Sequence, residues 1–339
     1  MGDLSAHSLL TPLLLTHLCL FWQLNLSDNH LCGVLDFYGT QQEGNYNAEG
    51  INAIADALRV NGALTSVELK NNKLGDEGWG AIFAAICGNK DSKIMSLNAS
   101  FENIGPAGVQ LNAEALHTSA TGGLTSIDLS GNQLCGIRID LSGNQQGTYT
   151  AEGITAIADA LRVNGGLTRV DVRSNNIAGD GAAQLAAAVL GNLKIERFNE
   201  IPIKEMRADS FTELHLSWND FGVEGGMVVA CLIPVMGGLT KISLAANELG
   251  EEGTKAICEA LEQNKTLKEL DISGDAGSGA SNIGGSAGAT HVAKMLGVNG
   301  GLTSIDLSNN QLCGVWTDYR GQHGTYLSLI HISEPTRPY

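Results

Sequence analysis

The side chains of this 339-residue chain that can bind a metal, attack an electrophile or move a proton are eight histidines, seven cysteines and 36 acidic residues. The cysteines (Cys19, Cys32, Cys87, Cys135, Cys231, Cys258 and Cys313) are odd in number, widely separated and form no CxxC pair. Such spacing supports neither a disulfide framework nor a zinc ribbon, and fits reduced, buried thiols in an intracellular protein. The histidines are scattered, and none stands beside a cysteine or carboxylate at ligand spacing. Only His215 falls on a predicted strand surface, where a solvated imidazole is expected. No GxxxxGK[ST] phosphate loop, HExxH pair or calcium loop occurs. The glycine-rich segment 274–285 misses GxGxxG and reads as a flexible insertion at a turn, and the sequons at Asn25, Asn98 and Asn264 read as chance in a cytosolic chain. These readings assign no catalytic residue, no cofactor and no metal.

What remains is the chemistry of charge and surface. The formal charge is −16, and no lysine or arginine occurs before Arg59. A chain that grips phosphate backbones needs clustered basic residues, so nucleic acid is excluded as a partner class. Glycine supplies 43 residues and aromatics only 5% against an ordinary 43% apolar content, which implies many short recurring turns between thin packed layers. The apolar stretch 9–22 imitates a signal-peptide core, yet Asp3 rather than a basic residue precedes it and no small-residue cleavage site follows. It is also interrupted by Pro12, Thr16 and His17, and too short for the ~20 apolar residues of a membrane span. A cytoplasmic protein without a membrane partner is expected.

Positioning those charges falls to one repeated phrase, L-x-x-L-x-L-x-x-N-x-L. It runs through Leu302, Ile305, Leu307, Asn310 and Leu312, and recurs through Leu124, Ile127, Leu129, Asn132 and Leu134. Two more copies pass through Leu167, Val170, Val172, Asn175 and Ile177, and through Leu239, Ile242, Leu244, Asn247 and Leu249. Copies starting at Phe21, Leu64, Ile94, Phe211 and Leu267 bring the number to nine, and a degenerate tenth is read around Ile195 and Phe198. Spacings of 28 to 30 residues leave room for a strand and a helix. The helix signal is plain in Ile51, Ile54, Ala55 and Leu58, which form one apolar stripe that returns at Ile154, Ile157, Ala158 and Leu161 and at Thr254, Ile257, Cys258 and Leu261.

On these repeats the chain resembles the long, ribonuclease-inhibitor-like class of leucine-rich-repeat proteins over residues 21–326. That class includes ribonuclease inhibitors, the Ran GTPase-activating protein and the repeat regions of nucleotide-binding immune-type receptors. The expected fold is an α/β leucine-rich-repeat solenoid. Strands pack ~4.8 Å apart and helices ~8–10 Å apart, so stacked units must curve into a horseshoe with parallel strands on the concave face and helices on the convex face. The asparagines Asn29, Asn72, Asn132, Asn175, Asn219, Asn247 and Asn310 are expected to form a ladder that satisfies backbone groups of neighbouring turns. Glu102 and Asp275 replace asparagine in two copies, where the ladder is expected to be strained or hydrated.

A larger duplication repeats the segment from Leu31 to Gly50 at Leu134 to Gly153, an offset of 103, and includes a glycine- and glutamine-rich insertion. A third copy starts at Leu312 and breaks off after Tyr326. Residues 327–339 share nothing with any repeat and resemble read-through of a sequencing adapter. The expected organisation is an irregular or partial N-terminal cap over 1–20, a repeat domain of nine or ten units over 21–326, and a non-native, unstructured tail over 327–339. A natural chain continuing past Tyr326 would leave the last unit uncapped and able to self-associate.

The side chains between the inward-pointing leucines read, down the stack, Asn25, Glu68, Asn98, Asp128, Asp171, His215, Ser243, Asp271 and Asp306. Five of the nine are carboxylates, which would draw in a basic partner, although aspartate as a common filler of this exposed position explains them equally. Phe101 and Trp218 share a column just before the asparagine, where they either anchor an interface or fold over the rim to cover a turn. Arg173, with Arg169, Lys70 and Lys241 on neighbouring strand positions, makes the face mixed. The insertions around Phe37 and Tyr38, Ile139 and Asp140, and Asp318 and Tyr319, ending at Tyr46, Tyr149 and Tyr326, offer either a second contact surface or duplicated loops. The leading expectation is a non-catalytic scaffold that recognises a protein partner, one with a basic surface, on its concave face through Glu68, Phe101, Asp128, Asp171, Arg173, His215, Trp218, Asp271 and Asp306. The alternatives are a GTPase activator with Arg173 as the supplied arginine, or the sensing segment of an immune-type receptor.

Overall fold

The structure is a computed structural model that describes residues 22–33, 35–37, 41–117, 123–139, 145–277, 281–313, 315–318 and 321–324. The expected cap over 1–20, the repeat boundaries Phe21 and Tyr326, the insertion residues Tyr38, Asp140 and Tyr319, Cys19 and the tail over 327–339 lie outside the described residues. The chain divides into two compact units, one of residues 1–176 with 191–195 and one of residues 177–190 with 196–339.

In the first unit the repeats form strands β1 (Gln23–Asn25), β4 (Ser66–Glu68), β5 (Ser96–Asn98), β6 (Ser126–Asp128) and β9 (Arg169–Asp171). They pair in that order as a parallel sheet, with Leu24, Val67, Leu97, Ile127 and Val170 side by side. Between them run helices α1 (Glu49–Leu58), α2 (Gly75–Gly88), α3 (Pro106–His117) and α4 (Glu152–Val163). Two antiparallel hairpins, β2 (Leu35–Phe37) with β3 (Gln41–Glu43) and β7 (Ile137–Ile139) with β8 (Gln145–Gly147), occupy the first two insertions.

The second unit holds the short strand β10 (Arg197–Phe198) and the parallel strands β11 (Glu213–His215), β12 (Lys241–Ser243), β13 (Glu269–Asp271) and β14 (Ser304–Asp306). Its helices are α5 (Gly179–Gly191), α6 (Ile203–Arg207), α7 (Gly222–Leu232), α8 (Gly250–Leu261) and α9 (Gly285–Val298), with a single 3-10 turn at Ile233–Val235. The third insertion is again a hairpin, β15 (Val315–Asp318) with β16 (Gly321–Gly324). The degenerate copy at Ile195 is real but abbreviated: a strand of 2 residues and a helix of 5.

Each strand has one inward residue because side chains alternate across a strand and only one face meets helices. The repeat's leucine positions fill the layer between sheet and helices: Leu64, Val67, Leu69 and Leu74 are at most 1% exposed, as are Leu239, Ile242, Leu244 and Leu249. Burying such a side chain stabilises by about 1.5–3 kcal/mol, so Val67 or Ile242 cut to alanine loses most of one layer's contribution. The stripes on α1, α4 and α8 close the same layers, with Ile51 and Ile154 at 0% and Ile257 at 1% exposure. Trp79 and Phe83, ring centroids 5.2 Å apart, supply bulk on α2. Each unit thus shows the alternation of parallel strand and helix expected of an α/β leucine-rich-repeat solenoid. Among the described residues no helix is long and apolar enough to cross a membrane.

Candidate partner-binding face

The sheet face turned away from the helices carries the polar column in register: Asn25, Glu68, Asn98, Asp128 and Asp171 lie side by side in the first unit, and His215, Ser243, Asp271 and Asp306 in the second. A structural task is visible in six of them. The side-chain oxygen of Asn25, Asn98, Asp128, Asp171, Asp271 and Asp306 accepts the backbone N–H two residues on, at 2.9 to 3.1 Å. The strand ends at that residue, leaving an N–H without a ladder partner, and a short Asx acceptor satisfies it. Aspartate or asparagine at this position therefore serves the turn in six of the nine strands, which is a third account beside partner attraction and mere filler.

The acidic residues differ in what they leave free. Asp171 is 7% exposed, and Arg173 grips it with Nε at 2.9 and 3.0 Å from its two oxygens and an Nη at 2.6 Å. This side-by-side pair removes Asp171 from the set a partner reaches directly, and it ties up the guanidinium that the GTPase-activator alternative required. Beside it, burial pushes the Asp128 carboxyl up despite the hydrogen bonds from Ser130. In the second unit Ser217, Ser243, Asp271 and Ser273 join in one hydrogen-bonded row: Ser243 donates to Asp271 at 2.6 Å and Ser273 donates to it at 2.7 Å. Burial raises Asp271, but these donors and Lys241 outweigh it, so its carboxyl is held below the usual range. His215 stays well exposed, 3.7 Å from Glu213, and Asp306 is exposed. Lys241 is paired with Glu269 at 2.9 Å.

The turn after each strand twists the backbone through left-handed conformations on both sides of the ladder residue. Asp28, Asn71, Phe101, Ser174, Trp218, Ala246 and Asn309 precede it with φ between 50° and 63°, and Gly131 fills the same column at 64°. Left-handed backbone suits glycine, asparagine and aspartate, and it strains a bulky side chain. Phe101 and Trp218 nevertheless stand there. The Phe101 ring lies across Gly131, where a β-carbon would overlap it, and Lys70 Nζ sits 5.5 Å from the ring centroid. Phe101 thus partly covers the next turn while remaining 44% exposed. Trp218 is 66% exposed and walls a recess with Asp220, Ala246, Glu248, Asp275, Ser281 and Asn282. Burial, with Asp220 nearby, pushes the Glu248 carboxyl up.

Beneath this edge run the asparagines. The Asn72 amide oxygen accepts Asn29 N–H at 3.0 Å, and Asn132 accepts the N–H groups of Glu102 and Ile104 at 2.9 and 3.0 Å. Asn175 accepts Leu134 N–H at 3.2 Å, Asn247 accepts Asn219 N–H at 2.9 Å, and Asn310 accepts Ile283 N–H at 3.1 Å. The two substituted copies differ from expectation. Glu102 is neither strained out of place nor hydrated: it is 0% exposed and accepts the N–H groups of Asn72 and Leu74 at 2.9 and 3.0 Å. Asp275 accepts the Gly277 N–H at 2.7 Å. After the insertion, Asn282 takes the position, accepting Asn247 N–H at 2.9 Å and donating to the Leu244 carbonyl at 3.0 Å.

A second row of asparagines at the helix ends escaped the sequence reading. Asn89 donates to the carbonyls of Leu58 and Asn61 at 2.9 and 2.7 Å, and Asn192 to those of Leu161 and Asn164 at 2.7 and 2.8 Å. Asn299 donates to the Leu261 and Asn264 carbonyls. These bonds close the orphan carbonyls left at one helix's end with an amide from the next repeat. The signal was the asparagine three residues before the first leucine, as in Asn61, Asn164, Asn264 and Asn299. Tyr46, at the end of the first hairpin, staples neighbouring repeats similarly: its hydroxyl donates to Leu74 O at 2.7 Å and accepts Gly78 N–H at 3.1 Å. Of the described cysteines, Cys32, Cys87, Cys135 and Cys258 are buried, whereas Cys231 is exposed and Cys313 half-buried.

Comparison with known proteins gives the same architecture. A family profile described as Leucine Rich repeat matches residues 63–83, 167–186 and 210–230. The mouse ribonuclease inhibitor is 25% identical over 286 residues, covering 80% of this chain and 57% of its own. The pig ribonuclease inhibitor is 27% identical over 251 residues, covering 66% and 54%. Protein CARMIL of Dictyostelium discoideum is 25% identical over 289 residues, covering 73% of this chain and 27% of its own. The chain thus spans about half the length of the two inhibitors it matches. Among solved structures, the leucine-rich-repeat-containing protein LegL7 from Legionella pneumophila aligns over 91% of this chain and 86% of that one, with 17% identity and a TM-score of 0.33.

Proposed function

Because the chain is a leucine-rich-repeat protein of the ribonuclease-inhibitor-like type, we propose that it is a non-catalytic scaffold that captures a protein partner with a basic surface on the open face of its sheet. The observation that carries this reading is Trp218. It is a large ring, 66% exposed, held in left-handed backbone that the other described repeats, Phe101's excepted, give to small or turn-forming residues. Beside it are the carboxylates of Asp220, Glu248 and Asp275. An exposed tryptophan next to carboxylates suits a lysine or arginine stem lying on the ring with its charge among the acids. In the second unit His215, Asp271 and Asp306 extend that contact along the strands, and in the first unit Glu68, Asp128 and Phe101 offer a surface of the same kind. The proposed domain is 21–326 and the proposed compartment the cytoplasm, where thiols stay reduced.

The mouse and pig relatives are named as inhibitors of ribonuclease, so a basic ribonuclease is the first ligand to try. Binding is measured by surface plasmon resonance against that ribonuclease and a panel of basic and acidic proteins. Expected is saturable binding confined to basic members and weakened about tenfold or more by Trp218→Ala, the effect of losing one interface anchor. Binding that ignores Trp218→Ala and the charge reversals Asp271→Lys and Asp306→Lys would sink the reading.

A further inference from the structure

At three regular rungs of the asparagine ladder the strand-end carbonyl receives two amide donors, one from its own repeat and one from the next, whereas beside the later insertion Leu244 O takes only Asn282 and Ile272 O only Asn310. Leu26 O takes Asn29 and Asn72, Leu129 O takes Asn132 and Asn175, and Leu216 O takes Asn219 and Asn247. The two carbonyls that flank the Glu102 rung are short of this pattern: Leu69 O takes only Asn72, and Ala99 O only Asn132. The missing donor in both cases is the one an amide at position 102 would supply. An ionised carboxylate has no donor to offer those carbonyls, whereas a neutral acid has one O–H to give and keeps acceptor capacity for the N–H groups of Asn72 and Leu74.

We propose that Glu102 is a proton-operated rung: as the neutral acid it supplies one of the two missing donors, as the carboxylate it supplies neither, so that the hold of this repeat on its neighbours depends on pH. Burial, opposed by the Leu74 and Asn72 N–H groups and by Lys73, holds the carboxyl up at about 7. The folded state therefore binds the proton that the unfolded chain, with an ordinary carboxyl, has already released. Stability from this group is fully present below the ordinary carboxyl range, falls as pH rises toward 7, and is level above it. The groups facing Glu102 are Lys73 on the preceding turn and Cys32 of the first repeat, whose thiol is pushed up by burial. Glu77 on α2 adds negative charge around Cys32, and Asn132 from the following repeat is neutral. His30, in the turn of the first repeat, has a buried Nδ1 without a partner and is the control position.

The test compares urea unfolding of the full chain from pH 5 to pH 8.5 for the wild type, Glu102→Gln and His30→Gln, alongside a carbon-13 titration of the Glu102 carboxyl in the wild type. Glutamine copies the neutral acid and cannot ionise. Expected is an unfolding constant that rises on the order of a hundredfold across this range in the wild type and in His30→Gln but stays flat in Glu102→Gln, with the carboxyl titrating near 7. A carboxyl midpoint near 4 overturns the proposal even should Glu102→Gln fail to fold. So does a pH dependence that survives Glu102→Gln or vanishes in His30→Gln.

Discussion

Trp218 illustrates how a single residue can be held against its own backbone preference. A left-handed φ of 63° costs a bulky side chain about 1–2 kcal/mol relative to glycine, and with 66% of its surface exposed the ring recovers little of that by burial. Trp218→Gly is accordingly expected to leave the fold intact and raise its stability by about 1 kcal/mol in chemical denaturation, while losing partner binding. A drop in stability would mean that the ring supports the fold. Phe101 is the opposite case, because its ring leans on Gly131. Gly131→Ala combines a left-handed alanine with a clash against that ring, so a loss of about 1–3 kcal/mol and an altered near-ultraviolet dichroism are expected.

At the scale of elements, two asparagine rows hold each repeat to the next, one at the strand ends and one at the helix ends. Asn192 donates to two buried carbonyls and is itself 7% exposed, so Asn192→Ala strands both acceptors and should cost about 2–4 kcal/mol in thermal or urea unfolding. The rung after the insertion offers a sharper comparison. Asn282→Ala should cost about 1–3 kcal/mol and Asp275→Ala less than about 0.5, because only Asn282 bridges Asn247 to Leu244. Equal losses would return Asp275 to the ladder. Close packing between elements also explains Gly153, where a β-carbon would lie 2.6 Å from the Leu134 carbonyl oxygen.

For the molecule as a whole, a charge of −16 steers association, yet the structure divides that charge by task. Carboxylates at Asp128, Asp171, Asp271 and Asp306 cap strand ends, and Asp171 is further neutralised by Arg173. They still contribute field, so the association rate with a basic protein is expected to fall by about tenfold between 20 and 150 mM salt, with a much smaller change in dissociation rate. A stopped-flow salt series that leaves association flat would remove electrostatic steering from the proposed function.

The alternation of strand and helix, the inward leucines and the register of the polar column were all legible in the sequence, because each repeat must bury one strand face and one helix stripe, and those periods are written in single residues such as Val67, Ile127 and Ile154. The helix-end asparagines also carry a sequence signal, three residues before the repeat start at Asn164, Asn192 and Asn299 and five before it at Asn89. Other features depended on contacts between residues far apart in the chain. Nothing local shows that Glu102 stands fully buried in the place of an amide, that Asn282 rather than Asp275 completes its rung, or that Arg173 closes over Asp171. Local periodicity decides which side of an element faces the core. Only the stacking of one repeat on another decides which polar groups lose water and which partners replace it.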